Sequence, residues 1–163
     1  RLKLDLAVIK KYLTAFGGTE RRLQVLGKYK GALIVDDYAH HPGELRVAID
    51  AARILYPGRK ITGIFQPHLY SRTNDFADGF AEELDKLDEI LLMDIYPARE
   101  LPMEGVSSET IFKRMKNPEV KLVTKETVMD ELKKKRPEIL MTLGAGDIDT
   151  FVPKIKELYS LKQ

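Results

Sequence analysis

Two carboxylates, a phenol and two imidazoles stand within the segment Asp36-Asp37-Tyr38-Ala39-His40-His41, and Pro42 follows it. The segment comes directly after the apolar run Ala32-Leu33-Ile34-Val35, so it lies at the end of a predicted strand. Titratable groups there are costly unless water or a ligand meets them. In open α/β sheets, ligands bind just beyond the carboxyl ends of the strands. Three more polar clusters hold the same kind of position: Gln66-Pro67-His68-Leu69-Tyr70-Ser71-Arg72-Thr73 after Phe65, Asp94-Ile95-Tyr96-Pro97-Ala98-Arg99-Glu100 after Met93, and Gly144-Ala145-Gly146-Asp147 after Leu143. In a parallel sheet these four loops share one edge and converge.

Several chemistries are open to these residues. Asp and His donors suit a zinc or manganese hydrolase, so Asp36, Asp37, His40 and His41 admit a metal-dependent phosphoesterase. The neighbouring rings of His40 and His41 would then have to turn together, which a tight turn seldom permits. A Gly-X-Ser-X-Gly nucleophile elbow is absent, and nothing marks Ser71 as activated although His68 is close in sequence. The Gly144–Asp147 segment lacks the Lys and Ser/Thr of a phosphate loop and reads equally well as a tight turn. Asp37 could simply cap the following helix, His41 could be a hydrogen-bonded structural residue, and Tyr96-Pro97 could be loop packing. Arg72 lies near a predicted helix start, where the dipole disfavours a cation; that conflict points to an anionic ligand nearby. Binding and electrostatic roles are favoured over nucleophilic ones, and no metal ligand set is assigned.

The elements that must position these loops follow from periodicity. Leu4, Leu6, Ile9, Leu13 and Phe16 make a short helix over 4–16, stopped by Gly17-Gly18. Strands are predicted over 23–26 and 31–35, around a turn at 27–30. Helices are predicted over 42–55, 71–87, 107–115, 124–135 and 148–161, and strands over 60–65, 89–93, 120–123 and 138–143. Pro42 suits a first helical turn, Ser107 or Ser108 is a candidate cap, and Thr124 is another. Alternating strands and helices imply right-handed crossovers and a mostly parallel α/β sheet with helices on both faces. The early hairpin supplies an antiparallel edge.

Bulk properties narrow the function. The 163 residues suit one domain. A net charge of +2 argues against nucleic-acid or membrane-surface binding. The run Lys133-Lys134-Lys135-Arg136 follows Asp130-Glu131 and reads as the solvated end of a helix. Without cysteine there is neither a disulfide framework nor a thiolate site. No spanning segment and no secretory pattern is seen, so a cytoplasmic location is expected. The chain opens on Arg1 and is expected to be a piece of a longer polypeptide.

The motifs Phe16-Gly17-Gly18-Thr19-Glu20-Arg21-Arg22, Asp36-Asp37-Tyr38-Ala39-His40-His41-Pro42, Phe65-Gln66-Pro67-His68-Leu69-Tyr70-Ser71-Arg72-Thr73, Asp94-Ile95-Tyr96-Pro97-Ala98 and Leu143-Gly144-Ala145-Gly146-Asp147-Ile148 resemble the C-terminal domain of the Mur ligase family, in its alanine-adding branch. The resemblance runs in order over nearly the whole chain. It implies a Rossmann-like domain over 1–163, with the hinge region in 1–20. That domain closes over the active site of a three-domain enzyme with separate N-terminal and central domains. The implied reaction joins L-alanine to UDP-N-acetylmuramate in peptidoglycan synthesis. It consumes ATP with Mg2+, whose ligands are expected mainly from the central domain. The resemblance assigns catalytic roles to Arg22 and His40. Nucleotide contacts fall to Arg22, Asp37 and His40, and substrate contacts to Tyr38, His68 and Arg72. Leu69 stands where the family usually has Arg, which leaves more of the alanine carboxylate to Arg72. This domain alone is expected to be inactive. The other readings are a sister ligase that recycles murein peptides, the phosphoesterase, and a non-catalytic nucleotide-binding module.

Overall fold

The computed structural model describes residues 5–29 and 31–160. Leu4 in the first predicted helix, Lys30 in the predicted turn and Leu161 at the last helix end lie outside them. Six strands form one sheet: β1 (Gln24–Tyr29), β2 (Ala32–Asp37), β3 (Ile61–Phe65), β4 (Glu89–Met93), β5 (Val120–Val123) and β6 (Ile139–Leu143). Their order is β1-β2-β6-β3-β4-β5. The β1–β2 pair is antiparallel and the rest are parallel, as the alternation of elements predicted.

Both faces of the sheet are buried, and side-chain alternation divides the core in two. Val35, Ile61, Phe65, Ile90, Leu92, Met141 and Leu143 face one layer. Its helices are α2 (Pro42–Leu55), α4 (Ala77–Leu84) and α5 (Glu109–Phe112), through Leu45, Ile49, Phe80 and Ile111. Ile34, Ile64, Leu91, Met93 and Leu140 face the other layer. There α6 (Val128–Lys133) and α7 (Val152–Ser160) pack through Leu132 and Ile155. Helix α1 (Leu6–Ala15) has no buried residue. No described helix is long and apolar enough to cross a membrane.

Helix α2 matches its predicted span, and Pro42 is at its first turn. Other elements differ for local reasons. Strand β1 runs through the predicted turn, because a bulge between Val25 and Gly27 absorbs the irregularity. Gly27 takes a φ of 131° there, which a glycine tolerates without a Cβ clash. The helix predicted over 71–87 is two pieces, α3 (Tyr70–Asp75) and α4, broken at Phe76. Helix α6 starts after Thr127, not at Thr124. The hydroxyl of Thr127 accepts the Thr124 N–H at 2.9 Å and closes a turn first. A 3₁₀ turn, Asp147–Phe151, precedes α7 and shortens the predicted last helix. Ser107 Oγ accepts the Glu109 N–H at 3.2 Å, whereas Ser108 Oγ donates to the Met93 carbonyl.

Phe80 locks α4 onto the strand that leads into the second cluster, its ring 5.4 Å from that of Phe65. Phe80→Ala should lower unfolding free energy by about 3–5 kcal/mol, read by urea denaturation. A loss under about 1 kcal/mol would show that this layer repacks around the cavity.

Candidate functional site

The site begins with a register. Leu143 pairs with Asp37 on one side and with Phe65 on the other, so three strands end level. The loops that follow leave the sheet side by side. The chain before β1 joins them, since the Tyr38 N–H donates to the Arg21 carbonyl at 2.7 Å.

Adjacent arginines take opposite directions. Arg21 turns inward, its side chain 20% exposed against 49% for Arg22. Arg21 Nε donates to Asp36 Oδ2 at 3.0 Å and Nη2 to the Gly144 carbonyl at 2.7 Å. Thr142 Oγ1 donates to the other Asp36 oxygen at 2.5 Å. This pair ties three loops together beneath the site. Arg22 reaches outward, its Nη1 3.9 Å from Glu44 Oε1. Both guanidiniums lie against the Tyr38 ring, at 5.0 Å for Arg21 and 5.5 Å for Arg22.

Asp37 is buried, and its two oxygens accept the Leu23 and Ala39 N–H groups at 2.6 and 2.8 Å. Burial pushes its carboxyl above the usual range, against the pull of those amides and of Arg22. Each carboxylate oxygen has further accepting capacity. Asp37 also lines a cavity of about 400 Å³ with Arg22, Leu23, Glu44, Val47 and Ala48. Its lining combines the polar groups of Arg22, Asp37 and Glu44 with the apolar side chains of Leu23, Val47 and Ala48.

The rim then continues as a chain of rings and cations. Tyr38 meets His40 edge-on at 5.1 Å, and His40 meets His68 at 6.0 Å. His68 stacks on Tyr96 at 5.7 Å, and Arg72 Nη1 donates to His68 Nδ1 at 3.1 Å. Burial first, then the charges of Arg72 and His40, push the His68 imidazole below its ordinary value. Arg72 is the third residue of α3 (Tyr70–Asp75), near its start as predicted. α3 is only six residues long, so Arg72 stands in its first and its last turn at once and the helix dipole there is small. Ser71 is engaged as well, its N–H and hydroxyl donating to Glu100 at 3.0 and 2.5 Å.

All six sequence-predicted site residues, Arg22, Asp37, Tyr38, His40, His68 and Arg72, therefore lie along one edge. The phosphoesterase quartet does not assemble. Asp36 is taken by Arg21 and Thr142. His41 caps α2 by accepting the Gly43 N–H and packs its ring 4.6 Å from Phe76. Among the described residues, no group of three or more His, Cys, Asp or Glu side chains could hold a metal ion. Four participants escaped the sequence reading. Arg21 stood inside a quoted motif with no role assigned to it, and Tyr96 as loop packing. Glu44 and Lys125, whose Nζ is 5.6 Å above the Tyr96 ring, carried no motif signal.

Leu69 has a φ of 74°, a left-handed torsion that a branched side chain resists. Its N–H donates to the Tyr96 carbonyl at 2.9 Å, and the Tyr96 N–H donates to the Pro67 carbonyl at 2.8 Å. That short ladder holds the strained residue between His68 and Arg72.

The family model for "Mur ligase, glutamate ligase domain" matches residues 21–148. UDP-N-acetylmuramate–L-alanine ligase of Flavobacterium johnsoniae is 51% identical over 150 residues, which are 92% of this chain and 33% of that protein. The ligase of the same description from Cytophaga hutchinsonii is 47% identical over 150 residues, 92% of this chain and 32% of that protein. The crystal structure of the corresponding Thermotoga maritima ligase superposes with a TM-score of 0.71 at 27% identity, covering 94% of this chain and 34% of that one. The chain thus spans about a third of the length of the curated relatives it matches.

The depressed His68 value has a sign that can be checked. The folded chain binds that proton less readily than the unfolded chain. The His68 contribution to stability is therefore complete above the ordinary 6.5 and is lost as pH falls through the lower folded value. NMR titration should place the His68 midpoint below 6.5. Arg72→Gln should raise it while leaving the effect of burial. A midpoint that does not respond would show that the guanidinium is not the neighbour it is described to be.

Proposed function

This chain belongs to the Mur ligase family as its glutamate ligase domain, and from that membership we propose that it is the C-terminal domain of the enzyme that joins L-alanine to UDP-N-acetylmuramate. The proposed domain spans 1–163, with a hinge in 1–20, and closes over N-terminal and central domains in a longer cytoplasmic protein. The observation that carries the reading is the unbroken rim Arg22–Tyr38–His40–His68–Arg72, each contact at 6.0 Å or less.

In the proposed reaction, ATP phosphorylates the muramate carboxylate. The amine of L-alanine attacks the acyl phosphate, and the tetrahedral intermediate expels phosphate to leave the amide. The cavity beside Arg22 and Asp37 suits a nucleotide. Leu23, Val47 and Ala48 offer an apolar wall for a base, and Asp37 offers acceptors for ribose hydroxyls. Arg22 offers a permanent charge for phosphate oxygens. A fixed guanidinium at the transferring group stabilises charge as it develops, without reorganisation. Tyr38 and His40 border both substrates. Arg72 and the His68 N–H are the groups for the alanine carboxylate, and gripping it aims the amine at the acyl phosphate. Magnesium does not fit the described residues as a bound metal. Its ligands are assigned to the rest of the longer protein, and no step here is routed through it.

Substitution, isolation and substrate choice each test this. In the full-length enzyme, Arg22→Ala should lower kcat about 10²–10³-fold, and Asp37→Ala should act mainly on KM for ATP, both followed by phosphate release. The 163-residue chain alone, given ATP, UDP-N-acetylmuramate and L-alanine, should release no phosphate; turnover by it would refute the division of labour. Full-length enzyme that accepts a tripeptide and not alanine would place the chain in the recycling ligase instead.

A further inference from the structure

The two imidazoles at the centre of the rim are engaged through the same atom in opposite senses. His40 Nδ1 lies 2.9 Å from the Tyr38 carbonyl oxygen and 3.1 Å from Glu44 Oε2. A carbonyl and a carboxylate can only accept, so His40 Nδ1 carries the proton and Nε2 is bare in the neutral ring. His68 Nδ1 lies 3.1 Å from Arg72 Nη1. A guanidinium can only donate, so His68 Nδ1 is bare and the proton is on Nε2. Glu44 has further contacts. Its Oε2 accepts the backbone N–H of His40 at 2.9 Å, and its Oε1 approaches Arg22.

We infer that Glu44 and Arg72 hold His40 and His68 in opposite neutral tautomers, so that the pair offers a zwitterionic α-amino acid one bare ring nitrogen and one N–H. The His68 N–H takes the carboxylate, with Arg72. His40 Nε2 takes a proton from the ammonium. That N–H bond breaks, its electron pair stays on the amine nitrogen as the attacking lone pair, and the proton makes an imidazolium. The groups facing His40 are Glu44 from α2, Tyr38 from its own loop, His68 from the loop after β3 and, through Glu44, Arg22. Glu44 is the one carboxylate among them and faces the new positive charge, as an acid does behind a catalytic imidazole. Glu44 is thus a positioning residue for the two groups assigned to catalysis.

The choice of substrate rests on the ligase reading; the tautomers do not, and the two fail separately. Long-range ¹H–¹⁵N NMR of the chain at about pH 9, well above the ordinary histidine value, reads each ring. His40→Gln and His68→Gln assign the signals. The expected pattern is a protonated Nδ1 for His40 and a protonated Nε2 for His68. The same tautomer in both rings overturns the inference. In the full-length enzyme, Glu44→Gln keeps the shape and an acceptor but removes the charge. It should lower kcat on the order of 10²-fold, with KM for the amino acid little changed. An unchanged kcat, or a loss confined to KM, removes the proton-transfer role. A wild-type enzyme that joins no amino acid would strike the ligase reading, while the spectra would still decide the tautomers.

Discussion

The parallel register across β2, β6 and β3 is the constraint from which the site follows. With Asp37, Leu143 and Phe65 side by side, the next residues of three distant segments must leave the sheet at one level. Side-chain alternation fixes this register, because a slip of one residue would turn Val35, Met141 and Phe65 toward the wrong layer. Burial of the core thereby sets the spacing of the polar rim.

Above that frame, charge is sorted by depth. Arg21 and Asp36 neutralise one another where water is scarce. Asp37 and His68 are both pushed toward their uncharged forms, chiefly by burial. Arg22 and Arg72 set two guanidiniums along the outer rim. A nucleotide and an amino-acid carboxylate are both anions, and this order of charges suits them better than it suits a metal ion.

Much of this was legible in the sequence where one principle acted alone. Helix α2 and strands β4 and β5 kept their predicted spans, since strong periodicity and sharp stops agreed there. The break at Phe76 was hidden because apolar spacing stays helical on both sides of it. The late start of α6 was hidden because Thr127 makes a local hydroxyl contact that competes with the helix. At the site, residue types singled out Asp37, His40, His68 and Arg72 as candidates, and the structure places them along one edge. They did not reveal that Arg21 would turn inward and Arg22 outward, since neighbours in sequence differ there only by backbone torsion. Arg21 has a φ of 54°. Glu44 was silent for another reason: an acid in the first turn of a helix already has an ordinary explanation in the dipole.

The torsion at Leu69 has a consequence of its own. A left-handed leucine costs on the order of 1–3 kcal/mol, and it is held by the two-bond ladder to Tyr96 on one side and by the Thr73 N–H and hydroxyl on its carbonyl on the other. The segment behaves like a cocked spring with its catch on another loop. Under the proposed function, selectivity for an amino acid is governed less by the wall of a pocket than by whether that catch holds. Drift in the Tyr96 loop would then move His68 and Arg72 without altering either residue.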